Sequence, residues 1–137
     1  MSTLPGIKAN KYIREVLAAD ENLTALVKPE NIKVMVLQPT NFPFISIRRS
    51  ALETQYNKDI AYEDSVTIEI TIVANEYSQS MEIAQTVRDI LDYKVYLNRE
   101  ENVRITEIRF FDCIEETVDD VFVQNLTFQL KMQNIEE

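Results

Sequence analysis

The groups in this 137-residue chain that are best suited to chemistry are carboxylates and one thiol, because the sequence contains no histidine and a single cysteine, Cys113. General acid–base catalysis most often recruits histidine, and a zinc site needs more His or Cys ligands than this chain supplies. Cys113 lies in the sequence FFDCIEE, where apolar and acidic neighbours favour the thiol over the reactive thiolate. The sequence therefore favours a structural cysteine over a nucleophile.

Two groups of carboxylates are candidates for metal binding or acid–base chemistry. The first group consists of Glu115, Glu116, Asp119 and Asp120. Its spacing lacks the regular alternation and the glycine of a calcium loop, so we interpret it as a solvated turn. The second group, Glu63, Asp64 and Glu69, has the residue types of a glycoside hydrolase pair, but nothing in the sequence predicts a pocket around it. We expect no catalytic, cofactor or metal site.

Arg48 and Arg49 form a small basic group beside Phe42 and Phe44. Basic residues interleaved with aromatic residues can bind single-stranded nucleic acid. In a chain of formal net charge −9, however, two arginines are more often partners for neighbouring carboxylates. That charge also disfavours the wrapping of nucleic acid, and a single glycine excludes the glycine-rich phosphate loops.

The elements that must position these groups are organised around residues 65–93. Residues 66–72 alternate apolar and polar side chains, which is the pattern of a half-buried strand. Residues 83–91 carry apolar side chains at three- and four-residue spacing, which predicts an amphipathic helix over residues 78–92. A strand that leads into a helix lying back on its sheet is the nucleus of an α+β sandwich.

Further elements are predicted on both sides of this stretch. A helix over residues 5–19 and a short helical turn that ends at Pro29 come first. Strands are predicted at 32–37, 44–49, 103–113 with a bulge near Thr106, and 122–132 with Leu126, Phe128, Leu130 and Met132 inward. The fold class is α+β: a mostly antiparallel sheet of about five strands with two main helices on one face, in the order α-(α)-β-β-β-α-β-β.

The connecting segments are expected to be irregular. Residues 38–43 contain two prolines and predict a loop, and residues 115–120 predict a turn. Residues 94–102 form a charged connector in which Val95, Tyr96 and Leu97 are expected to be tucked in. Residues 50–64 show neither period and are interpreted as a long, polar, mobile hairpin arm.

The length and composition favour one domain over residues 1–137. No apolar run approaches the roughly 20 residues of a membrane span. The single cysteine fits a reducing compartment. The long strands lack prolines that would blunt the sheet edges, so we expect a homo-oligomer that covers them.

The pattern resembles the bacteriophage tail-completion, or tail-terminator-like, family. The segments that carry the resemblance are the first helix with the turn Leu23–Val27, the strand entry Asn41–Ile47, the stretch from Val73–Tyr77 into Ile83–Leu91, and the closing strand Val121–Phe128. The match extends over nearly the whole chain as a pattern of hydrophobic positions. It contains no catalytic signature, so the expected protein is not an enzyme.

The resemblance implies a ring, commonly a hexamer, that caps the tail tube and docks it to the head-side connector. It implies assembly in the bacterial host cytoplasm and a place in the virion tail or neck, with DNA passing an acidic lumen without specific binding. Arg48, Arg49, Tyr56 and Lys58 are the expected arm contacts. The alternative is a small α+β ligand-binding or protein-adaptor domain.

Overall fold

The computed structural model of the protein describes residues 4–35, 41–58 and 60–135. Six strands are present in this part of the chain: β1 (Ile32–Val34), β2 (Phe44–Asn57), β3 (Ile60–Ala74), β4 (Tyr96–Asn98), β5 (Val103–Val118) and β6 (Val121–Gln133). They form one sheet in the order β1-β2-β3-β6-β5-β4. The β1–β2 pair is parallel, and the other pairs are antiparallel.

The centre of the sheet is the antiparallel pair of β3 and β6. The apolar side chains that alternate along these strands all face the same side and are 0–1% exposed: Val66, Ile68, Ile70 and Ile72 from β3, with Leu126, Phe128, Leu130 and Met132 from β6. The inward positions predicted from the alternation are therefore confirmed. Each fully buried side chain of this size contributes about 1.5–3 kcal/mol through the hydrophobic effect.

Three helices are described: α1 (Ala9–Ala18), α2 (Glu21–Thr24) and α3 (Tyr77–Leu91). The apolar stripes of α1 and α3 join one core with the inward row of the sheet, which confirms the α+β class. A 3₁₀ turn, Gly6–Lys8, leads into α1. The Asp20 carboxylate caps the short helix α2 by accepting a hydrogen bond of 3.0 Å from the backbone N–H of Leu23.

Four β-bulges bend the described strands. The register of β5 against β6 shifts between Ile105 and Glu107, which confirms the bulge predicted near Thr106. A second shift in β5 lies at Phe111, one in β2 lies at Ser50, and one in β3 lies at Tyr62 near the hairpin tip. A bulge increases the local right-handed twist, so the sheet curls around the helices.

Residues 50–64 form a hairpin, as expected, but its arms are regular strands. β2 continues to Asn57 and β3 begins at Ile60, so the two strands form a long hairpin whose tip contains Lys58; residue 59 lies outside the described residues. The side chains near the tip face water on both sides, so no hydrophobic period marks the strands. Backbone hydrogen bonds, which do not depend on side-chain polarity, hold the hairpin together.

The turn predicted at residues 115–120 is also displaced. Glu115–Val118 continue β5, and the chain reverses at Asp119 and Asp120, whose φ angles are 47° and 66°. Aspartate tolerates this left-handed conformation better than most residues. The acidic cluster therefore lies at the turn of the β5–β6 hairpin, at one end of the sheet.

The strand β4 was absent from the expected order, so the sheet has six strands where about five were predicted. Its three residues are too short to show a period. Val95 and Leu97, expected to be tucked in, are 58% and 46% exposed. Only Tyr96 packs inward, with its ring centroid 5.6 Å from that of Tyr12.

Two predictions extend beyond the described residues. The strand expected over residues 32–37 is observed as Ile32–Val34, and residues 36–37 lie outside the description. The loop expected over residues 38–43 is described only from Asn41 onward.

The described turns and helix ends are built largely without glycine. Left-handed φ values occur at Met35, Lys58, Tyr93, Asn102, Asp119 and Asp120. Gly6, the single glycine of the chain, is not among them. Its role is therefore not conformational freedom in a left-handed turn.

Gly6 allows the N-terminal turn to approach the β2–β3 hairpin closely. The Gly6 N–H donates a hydrogen bond of 2.9 Å to one oxygen of Asp64, and the Thr54 hydroxyl donates one of 2.6 Å to the other. The Arg49 guanidinium donates to the carbonyl of Ile7 at 2.8 Å. Asp64 is 3% exposed, so these donors satisfy a buried carboxylate and fix the base of the hairpin.

We predict that Gly6→Ala destabilises the protein by about 1–3 kcal/mol, the usual cost of forcing an atom into a packed site. An added Cβ would lie 2.5 Å from Oδ2 of Asp64 and 2.7 Å from Cδ1 of Leu52. Urea unfolding measures the change. Ile7→Ala, at a neighbouring side chain that is 69% exposed, serves as the control and should change stability by less than about 0.5 kcal/mol. Equal stabilities of the two variants would contradict the close approach.

Candidate assembly surfaces

The four predicted contact residues lie along β2 and its hairpin, but they face different surroundings. Nη1 of Arg48 lies 3.8 Å from Oε2 of Glu69 on the polar face of the sheet, and Arg49 bonds to the N-terminal turn. Tyr56 is 68% exposed, and Lys58 is exposed at the hairpin tip. The arginines therefore have partners within the protomer, whereas Tyr56 and Lys58 project from it.

The hairpin tip also carries apolar side chains that sequence reasoning missed. Ile60 is 67% exposed and Tyr62 is 40% exposed, and both lie beyond the reach of the helices, with the register of β3 against β2 shifting at Tyr62. The Tyr62 hydroxyl donates to the side chain of Gln55 at 3.2 Å. Asp64 interrupts the apolar alternation between Val66 and Tyr62, so no continuous hydrophobic period marked these residues in the sequence.

The opposite end of the sheet carries the acidic hairpin. Its carboxylates are Asp112, Glu115, Glu116, Asp119 and Asp120, and the chain has no Lys or Arg from residue 110 to residue 130. Within the described ranges, no group of three or more His, Cys, Asp or Glu side chains is arranged to hold a metal ion. The cluster gives this end of the sheet a concentrated negative surface charge.

A polar network ties this hairpin to the first turn of α3. The Tyr77 hydroxyl donates to Glu115 at 2.9 Å, and the Gln124 amide donates to Glu115 at 3.1 Å and to the Ser80 hydroxyl at 3.3 Å. Gln124 and Ser80 are buried. Such satisfied buried polar groups hold elements in one arrangement.

The second carboxylate group does not converge. Asp64 faces the helices and is bound by the N-terminal turn, whereas Glu69 faces the polar side of the sheet. Glu63 also faces away from Asp64 because successive residues of a strand point to opposite faces. The structure therefore does not bring these residues together as a catalytic pair.

Cys113 lies in the exposed half of β5. Its Sγ is 3.5 Å from the side-chain oxygen of Gln124. Desolvation, followed by the charges of Glu115 and Asp112, raises the pKa of the Cys113 thiol. This direction agrees with the prediction of an unreactive cysteine.

Both long edges of the sheet are partly open. Beyond Ile47, no described strand pairs with the outer edge of β2. On the other edge, the Tyr93 N–H donates to the carbonyl of Ile108, and the Phe110 N–H donates to the Asp92 side chain. In the described chain, no backbone hydrogen bond covers the edge of β5 from Asp112 onward. Open edges are templates for pairing with another chain.

A surface concavity of about 520 Å³ lies between α2 and the segment Asn41–Pro43. The Asn31 amide, one of its polar groups, already donates to the carbonyl of Pro43 at 3.3 Å. No helix in the described portion is long and apolar enough to cross a membrane.

Open edges, a projecting hairpin tip and an acidic hairpin are features of a protein that binds other proteins. The family model described as "Tail completion protein gp17" matches residues 11–131. The chain therefore belongs to this family, which confirms the resemblance seen in the sequence. Family membership indicates a structural role in a phage particle.

A solved structure described as "Virion of native gene transfer agent (GTA) particle" contains a similar fold. The match has a TM-score of 0.75 and 19% sequence identity, and it covers 91% of this chain and 94% of the other. At this identity, the match supports the fold alone. A comparison with curated proteins gave no match.

We predict that alkylation of Cys113 by iodoacetamide accelerates with pH around a midpoint above that of a small free thiol, because burial and two carboxylates disfavour the thiolate. Glu115→Gln removes one like charge and should lower that midpoint. Rates are followed by mass spectrometry, with the urea-unfolded protein as reference. A folded-state midpoint at or below that of the unfolded chain would contradict the environment described.

Proposed function

We propose that this protein assembles into a ring that completes the phage tail and joins it to the head-side connector. The observation that carries the proposal is the family match over residues 11–131. The open edges of β2 and β5 support it because each can accept a partner strand. A hexamer is the expected size, since that is the common number in the family that the sequence resembles.

The proposed ring acts by assembly and not by catalysis, and it needs no cofactor. The residues proposed to reach partners are Tyr56 and Lys58, which project from the hairpin tip towards the tail tube or the connector. Arg48 and Arg49 have a supporting role at the base of this hairpin, because their side chains engage Glu69 and Ile7.

DNA is proposed to pass through the ring without specific binding. The polar face of the sheet carries paired charges, with Arg48 beside Glu69 and Nζ of Lys131 3.9 Å from Glu107. The net charge of −9 disfavours retention of phosphate. The proposed location is the host cytoplasm during assembly and afterwards the tail or neck of the virion.

The ligand-binding or adaptor alternative has less support. A ligand site needs polar groups that converge on a closed pocket. The concavity beside α2 is open, and its Asn31 amide is engaged in a hydrogen bond. No contact in the described residues favours this alternative.

Inactivation of the gene in its phage or prophage tests the proposed function. Electron microscopy of lysates is expected to show DNA-filled heads and separate tails, and the wild-type gene supplied in trans should restore joined particles. Joined particles in normal number without the protein would sink the proposal.

We predict that replacing residues 56–62 by Asn-Gly leaves the protomer folded but reduces joined particles at least tenfold. The short turn would connect Gln55 to its partner Glu63 and thereby close the hairpin below its projecting tip. Circular dichroism and particle counts measure the two effects. Gln85→Ala on the exposed side of α3 is the control and should leave both unchanged. Unfolding would instead place the tip in the core, and a normal particle count would exclude it as a contact.

A further inference from the structure

Paired residues form rows that cross the sheet from one edge to the other. One row contains Val34, Ile47, Ile70, Leu126 and Cys113. Another contains Thr54, Asp64, Met132, Ile105 and Tyr96. Each row is five residues wide although the sheet has six strands, because β1 and β4 lie at opposite ends of opposite edges.

The two edges are therefore stepped in complementary ways. On one edge, β1 projects beside the first residues of β2, and the rest of β2, beyond Ile47, is recessed. On the other edge, β4 projects beside the first residues of β5, and the end of β5, from Asp112 to Val118, is recessed. A sideways displacement of five strands, about 24 Å at roughly 4.8 Å per strand, places a second copy's β1 beside β5 and its β2 beside β4. One displacement fills both recesses.

Strand directions allow both contacts. β1 runs parallel to β2 and hence antiparallel to β5, while β4 runs in the same direction as β2. The second copy would thus add an antiparallel pair at one step and a parallel pair at the other. Both kinds of pair are regular backbone ladders.

The side chains at the first step are complementary in charge. A third row, which contains Lys33, Ser46, Thr71, Asn125 and Ile114, places Lys33 of a second copy opposite Ile114. Asp112 and Glu116 are the diagonal neighbours of Ile114 on the same face, within reach of a long side chain. Oδ1 of Asp112 is buried and accepts no hydrogen bond from the described residues. The Lys33 ammonium would give this oxygen a positively charged hydrogen-bond donor.

Exposed apolar side chains lie along the same steps. Val34 is 39% exposed and Ile114 is 55% exposed at the first step, and Leu97 is 46% exposed at the second. The neighbouring strand would cover them. A two-fold contact between two β5 edges is disfavoured because it opposes two acidic segments with no basic residue.

We propose that a second copy of this chain is the occupant of the stepped edges, so that the sheet continues from one protomer into the next. The contact is heterologous and requires no shift along the strands, which permits a closed ring when each protomer is rotated about a common axis. This inference rests on the proposed ring and identifies its subunit contact.

The native Cys113 provides the test. Directly opposite residues of an antiparallel pair lie about 4.5–5.5 Å apart at Cα, within the range that a disulfide spans. Val34 and Cys113 end the same row and point to the same face. In Val34→Cys, oxidation by copper phenanthroline is expected to link successive subunits into a ladder that ends at the ring size on a non-reducing gel.

Two controls separate register from random contact. Val34→Cys with Cys113→Ser lacks the second thiol and should give no ladder. Adding Ile114→Cys to that variant moves the thiol to the opposite face of β5 and should also give none.

A second pair tests the other step and guards against misfolding of the first variant. Gln55 and Leu97 lie at the two ends of one row. On the β2 side, Gln55 faces Glu63, which accepts a hydrogen bond of 3.1 Å from the Gln133 amide. On the other side, Arg104 faces both Gln133 and Leu97. Gln55→Cys with Leu97→Cys in the Cys113→Ser background is expected to link subunits in the same way.

Native mass spectrometry of the reduced variants and the wild type, together with the gene inactivation described above, distinguishes the possible failures. Rings that give no ladder at either step would overturn the stepped contact while leaving the proposed ring intact. Linked species that stop at two subunits would overturn the continuous sheet in favour of a two-fold dimer. A protein that stays monomeric and gives no ladder at any concentration would overturn both the contact and the self-assembled ring.

Discussion

The length of the strands relative to the helices is the constraint on which the rest of this structure depends. β5 has 16 residues and spans about 53 Å, whereas α3 has 15 residues and spans about 22 Å. A helix of this length covers less than half of a strand. The helices α1 and α3 therefore bury only the middle of the sheet, and the ends of the long strands extend into solvent as two hairpins. Core and contact surface are consecutive parts of the same strands.

Each extension is anchored by a polar group at the boundary of the core. At one end, the buried Asp64 accepts hydrogen bonds from Gly6 and Thr54. At the other, Gln124 links Ser80 to Glu115. A hydrogen bond of this kind contributes about 0.5–1.5 kcal/mol net, but an unsatisfied buried partner costs about 1–3 kcal/mol. The geometry of both extensions thus depends on satisfaction of a few buried atoms.

The elements predicted correctly from the sequence are those whose side chains show a regular hydrophobic period. The inward side chains around Ile68 and Phe128 were predictable because one face of each strand is buried and the other is exposed to water. The bulge near Thr106 was predictable because the apolar residues change parity there. The regular strand structure of residues 50–64 and 115–118 was not predicted, because both faces of these segments are exposed and their backbone ladders leave no such pattern. The projecting Tyr56 and Lys58 were found on the expected hairpin, whereas the open edges depend on strand order, which side-chain periodicity does not encode.

The left-handed residues at the turns have a consequence for the unfolded chain. A glycine at such a position removes strain in the folded state but gives the unfolded state more conformations to lose, which costs about 0.4–1 kcal/mol relative to alanine. Here aspartate, asparagine, lysine, tyrosine and methionine occupy these positions. The unfolded ensemble is correspondingly narrower, and the strain is kept in the folded protein. The restricted unfolded state therefore offsets only part of this strain, and glycine at such a turn would relieve the strain while widening the unfolded ensemble.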